Sequence, residues 1–180
     1  MSDVENNFKE SMDWNDYINL LKIDDFEKIR IMNDNNPFLL NKYEYGKRKT
    51  NYLFEFYAPF DYINEEAKIV IVGITPGWTQ TEEMHKFILN KIKEETTDEK
   101  SLKKEAKYNA SFSGRMRKNL EKKLDAIGID QALNLTSSSE LWSSKKNLFH
   151  PTSLLRFPVF IEKKGEYVDY GGHVPPILEV

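Results

Sequence analysis

An α/β fold is expected from this chain of 180 residues: a three-layer sandwich with a short central parallel sheet flanked by helices. Residues 67–72 read as a short strand, β-branched and without polar alternation, as in a strand covered on both faces. Residues 79–95 and 111–130 carry apolar side chains at helical spacing. A second strand segment, interrupted by prolines, follows at 147–161. The order strand, helix, helix, strand makes a parallel pair with a right-handed crossover. Ligands of such sheets sit at the carboxyl ends of the strands.

Residues 1–12 are polar and expected to fray. WNDYINLLKI, 14–23, places Trp14, Tyr17, Ile18 and Leu21 on one helical face, and a second short helix is expected at 25–32. Residues 36–63 are rich in aromatics; they are expected to be irregular, with a short helix near 52–56, wrapped onto the core. After the first strand, Thr79 and Glu82 have capping-box spacing. Met84, Phe87, Ile88, Lys91 and Ile92 then line one side, apolar but for the lysine. Residues 96–107, TTDEKSLKKEAK, read as an exposed continuation or loop. In the next helix Ser113 is the candidate cap, Met116, Leu120, Leu124 and Ile127 the buried stripe, and Gly128 the stop. SSSELW, 137–142, reads as one helical turn, and 165–180 as loop. No internal repeat is visible. One domain over 1–180 follows, with a helical and irregular N-terminal wrap at 1–57 and an α/β core at 58–180.

The chain has no cysteine, which removes disulfides and thiolate zinc sites and fits a reducing, cytoplasmic setting. His85, His150 and His173 are too far apart for a metal-ligand pattern, so no metal and no cofactor are expected. No apolar run approaches the ~20 residues of a membrane span, and the acidic, polar start is unlike a signal peptide. The net charge of -3 hides an asymmetry: 1–40 hold nine acidic and four basic side chains, whereas 100–164 hold fourteen basic and six acidic. That basic segment is either a nucleic-acid face or a solvated helix surface.

IVIVGITPGWTQ, 69–80, runs from strand to helix through Gly73, Pro76 and Gly77. The glycine permits close backbone approach, and the proline fixes one torsion. The N–H groups at the start of the following helix would face the turn and favour electron-rich groups. The dinucleotide fingerprint and the Walker A sequence are both absent.

KIVIVGITPGWTQ resembles the first motif of the uracil-DNA glycosylase superfamily, a strand followed by G-x-x-P-G. ASFSGRMRKNLEKKLDAIGI is similar to that superfamily's segment in which a phenylalanine stacks on the flipped base and a basic helix begins. FHPTSLLRFPVF looks like the next core strand, and YAPFDYINEEAKIVIVG fits the lead-in. The resemblance covers about 58–175 and implies base excision by hydrolysis from duplex or single-stranded DNA, a repair activity that flips the base out of the stack. It implies that Phe112 stacks on the base. Ser153 stands where an asparagine reads the base edge, with Asn109 as a second polar candidate. Gly73, Ile74, Pro76 and Gly77 form the pocket floor, and Arg115, Arg117 and Lys118 meet phosphates. Thr75 would place the attacking water, His150 would read the base edge or assist catalysis, and Tyr57 and Trp78 would close the pocket.

The sequence departs from that pattern. Thr75 stands where active branches commonly carry a carboxylate or amide, and a threonine is too weak a base to deprotonate water near pH 7. His150-Pro151-Thr152-Ser153 resembles the second signature, H-P-S, but lies on the middle strand; the later strands and the true second motif are expected after Val180. An incomplete glycosylase fold is therefore expected, either active or a DNA-binding or protein-interaction module that a protein partner completes. A small α/β nucleotide or sugar-phosphate binder is the third reading.

Overall fold

A computed structural model describes residues 12–23, 35–45, 52–94 and 98–172. Their elements are α1 (Trp14–Ile23), β1 (Leu39–Glu44), β2 (Tyr52–Phe56), β3 (Ile69–Gly73), α2 (Trp78–Lys93), α3 (Glu99–Ala110), α4 (Arg115–Ala126) and α5 (Ile129–Ala132). Two short 3-10 turns, at Ser138–Trp142 and Lys146–Leu148, then lead to β4 (Phe149–Ser153), β5 (Val159–Lys163) and β6 (Glu166–Asp169). The short helix expected at 25–32, all but the last residue of the fraying expected at 1–12, and His173 lie outside the described residues.

The protein is a mixed α/β chain, as expected, but its strands do not form one central sheet. β3 and β4 pair in parallel, Ile69 opposite Phe149 through Gly73 opposite Ser153. β1, β2, β5 and β6 form a separate antiparallel sheet in that order. The irregular wrap expected at 36–63 is therefore corrected to a hairpin of β1 and β2, in which Tyr52–Phe56 is a strand and not a helix. The loop expected from 165 onward holds β6. The prolines of 147–161 divide two strands that enter different sheets.

α1 forms as its spacing dictates, with Tyr17 and Leu21 buried. α2 begins at Trp78, two residues before the expected box would allow. Gly77 is the cap; its N–H donates to Gln80 Oε1 at 2.9 Å, and the Trp78 N–H donates to Asp169 Oδ1 at 2.6 Å. The exposed loop expected at 96–107 is largely α3, capped by Asp98, whose carboxylate accepts the Ser101 N–H at 2.8 Å. Leu102 and Ala106 give it a buried face, and it packs on α2. α4 is capped at Gly114, not Ser113, and its stripe is narrower than expected: Leu124 is buried, whereas Met116 and Ile127 are 58% and 73% exposed. Gly128 ends that helix in the left-handed region at φ 80°, the stop its sequence indicates.

Two main cores result. Tyr17, Phe54, Phe56, Phe160, Met84 and Ile88 join α1, the antiparallel sheet and α2. Phe149, Tyr108, Leu124, Leu141 and Trp142 form the other, against which Ile69 and Ile71 of β3 pack. The opposite face of β3 is not covered as expected: Val70 and Val72 are more than half exposed. No described helix is long and apolar enough to cross a membrane.

Candidate functional site

The parallel pair ends where the two strands bring their motif loops together. The ladder continues past β4: the Leu154 N–H donates to the Gly73 carbonyl and the Leu155 N–H to that of Ile74, each at 2.9 Å. Beyond these carboxyl ends lies a cavity of about 580 Å³, within the usual range of small-ligand sites. Its walls come from the turn at 73–77, the segment 111–116, the end of β4 with Arg156, and Asp169 with Tyr170. Segments far apart in sequence meet here because β3 and β4 are adjacent and α3 returns over their ends.

Phe112 is one wall. Its φ of 54° lies in the left-handed region, which costs a non-glycine residue about 1–3 kcal/mol. Arg117 braces the segment just before it. Its guanidinium donates to the carbonyls of Tyr108 at 3.1 Å, Asn109 at 2.7 Å and Ser111 at 2.7 Å, closing the C-terminal end of α3. Arg117 is thus removed from the phosphate-binding set expected for it. Gly73 sits in a tight place: a Cβ there would lie 3.3 Å from Phe112 Cε1 and 3.4 Å from Ser153 Oγ. Gly77 is close-packed likewise, because a Cβ would meet the Asp169 carboxylate at 3.2 Å.

Thr75 lines the cavity, but its hydroxyl donates to the Phe157 carbonyl at 2.9 Å and accepts the Val159 N–H at 3.0 Å. It ties the turn to the start of β5, and its one proton is not available to a water. A carboxylate is nonetheless present, contributed by Asp169 at the end of β6. No local pattern around IVIVGITPG announces it, since the pairing of β6 with β5 places it there.

Ile74, Pro76, Gly77, Ser153 and Arg115 all line the cavity with Phe112. The Ser153 hydroxyl makes no hydrogen bond among the described residues, and the residue lines the cavity. Lys118 is exposed on α4 outside the cavity wall, and Asn109 contributes only its carbonyl to Arg117. Tyr57 and Trp78 do not close the pocket: both are buried, Tyr57 edge-on to Tyr17 and Trp78 edge-on to Phe160.

His150 stands behind the wall. Its Nδ1 accepts the Asn64 N–H at 3.4 Å, which leaves the ring proton of the neutral form on Nε2. Burial, with Lys107 and Arg156 nearby, lowers its pKa to about 4, so it is neutral at pH 7. Asn64, which no sequence pattern singled out, also donates to the Phe149 carbonyl at 2.9 Å and so fixes the entry of β4. Lys107 is the other residue missed; it reaches the cavity from α3 while 2% exposed. Among the described residues no group of histidines and carboxylates is arranged to hold a metal ion.

A relative is known. Over 128 residues the chain is 35% identical to the uncharacterized protein YoxB of Bacillus subtilis (strain 168), an alignment covering 71% of this chain and 48% of that protein. The chain therefore spans about half the length of the curated relative it matches. No family model and no solved structure matches it.

Proposed function

We propose that the chain is a DNA glycosylase-like protein that takes a flipped, aberrant base into the cavity and excises it by hydrolysis. One observation carries the reading: three segments that resemble glycosylase motifs in sequence, around Gly73, Phe112 and Ser153, line a single cavity at the carboxyl ends of two parallel strands. Phe112 offers the aromatic face, pre-set by its backbone. Ser153 reads the base edge. Asp169 takes the part first expected of Thr75: one carboxylate oxygen is held by the Trp78 N–H, and the other would orient the attacking water. That water's oxygen bonds to the sugar carbon as the carbon–nitrogen bond breaks. The bonding pair leaves with the base, which is then neutralised by the proton the water gives up. Arg115 and Lys118, both exposed, would meet phosphates and make binding salt-dependent.

The test is release of free base from oligonucleotides carrying single uracil, hypoxanthine or xanthine residues. Wild type is expected to generate abasic sites, and Phe112→Ala to lose this by roughly tenfold or more, since base–aromatic stacking contributes about 1–3 kcal/mol. The alternative is a non-catalytic DNA-binding or protein-interaction module on the same fold. The internal engagement of the Thr75 hydroxyl favours it. Salt-sensitive binding to DNA without any abasic product would establish the module instead.

A further inference from the structure

Lys107 is buried without an ion pair. Its Nζ donates to the Tyr62 carbonyl at 2.5 Å, and no carboxylate lies within salt-bridge distance of it among the described residues. Asp61, the acid whose charge acts on it, is bonded instead to Lys103 at 3.0 Å. Buried lysines are rare unless paired, because desolvating an ammonium is costly. The other charged groups around it make the position worse. Arg156, from the loop after β4, repels it, and His150 on β4 feels both cations. Arg156 makes no hydrogen bond or ion pair among the described residues. Burial above all, with Arg156 adding and Asp61 opposing, lowers the Lys107 pKa to about 8.

Lys107 and Arg156 line the same cavity as Phe112 and Ser153. Both side chains are donors only. A ring edge that faces them has to present acceptors or negative charge. An amino-bearing edge would set donors against donors and leave buried groups unpaired.

We infer that Lys107, assisted by Arg156, is the charge-holding residue of this cavity: it faces the acceptor edge of a ring stacked on Phe112 and takes up the negative charge that ring gains on leaving. The recognition half stands on the cavity alone, while the catalytic half rests on the excision reading. In that step the carbon–nitrogen bond breaks and its electron pair delocalises from the ring nitrogen onto the carbonyl oxygen facing Nζ. Water bonds to the sugar carbon, and its released proton ends on the base. Charge held by a buried cation is most effective where water is excluded.

The experiment uses the full chain and Lys107→Met and Lys107→Arg variants. It measures binding to single-stranded oligonucleotides with one 2′-fluorinated deoxyuridine or deoxycytidine, base release from the unmodified uracil strand, and melting temperature. Wild type is expected to prefer the uracil strand by roughly tenfold or more. Lys107→Met should bring that ratio to about one while melting at the same temperature or higher, because it removes an unpaired buried charge. Lys107→Arg should keep the preference, and wild type should lose it as pH rises through about 8. A preference that survives in Lys107→Met overturns the inference, as does a variant that melts lower with its preference intact, since Lys107 would then only support Tyr62. Lys107-dependent stabilisation by inorganic phosphate with no preference between bases also overturns it, for the wall would read a phosphate. Base release undiminished by Lys107→Met refutes the catalytic half and leaves the excision reading standing. A Lys107-dependent preference with no base release does the reverse.

Discussion

Phe112 occupies a backbone conformation that favours glycine, and its ring still packs on Gly73. Strain of this kind persists only where the surroundings over-determine it, and it concentrates at binding sites. His85 shows the opposite use of a chemically versatile residue. It is 2% exposed among Tyr17 and Phe38, and burial holds its pKa down to about 3. The unfolded chain takes up this proton near pH 6.5, so between pH 6.5 and 3 the unfolded state binds more protons and stability falls as pH falls. Denaturant titrations at pH 7 and 4.5 should show this site costing up to roughly 1.4 kcal/mol per pH unit. His85→Leu should have the shallower acid slope, the part due to His150 remaining.

At the scale of elements, the link between α3 and α4 is braced by a side chain from within α4. One guanidinium caps the carbonyls of Tyr108, Asn109 and Ser111 at the α3 terminus, just before Phe112 and Gly114 take positive φ. Arg117→Ala leaves those carbonyls without their donor and should destabilise by about 2–4 kcal/mol in urea unfolding. Arg115→Ala, on the exposed first turn of α4, should leave stability within about 0.5 kcal/mol. It should instead lower the salt slope of DNA binding by about 1. A charge count treats the two arginines alike; the fold gives one to the backbone and the other to the cavity rim.

Across the whole molecule, the turn at 73–78 joins the two sheets. Thr75 binds the approach to β5, and Asp169 binds α2 to the end of β6. Thr75→Val keeps the shape and removes both hydroxyl bonds. A loss of about 1–3 kcal/mol is expected, read as a lower denaturant midpoint with an unchanged slope. Much of this architecture was legible in local signals. α1, α2 and most of α4 follow the helical period, β3 is a β-branched run, and Gly128 stops a helix, because each signal lies within a few residues. α3 was concealed by its lysines at positions 100, 103, 104 and 107, although Asp98 and Ser101 held the cap. The sequence by itself determined the strand-to-helix turn and the order of the segments around it. Tertiary structure alone decided that Tyr52–Phe56 and Glu166–Asp169 are strands, because a strand is completed by partners distant in the chain. It also decided that Thr75 and Arg117 serve the scaffold while Asp169 and Lys107 reach the cavity. Hydrogen-bond commitment and burial depend on which segments meet in space, and residue type and spacing do not carry that information.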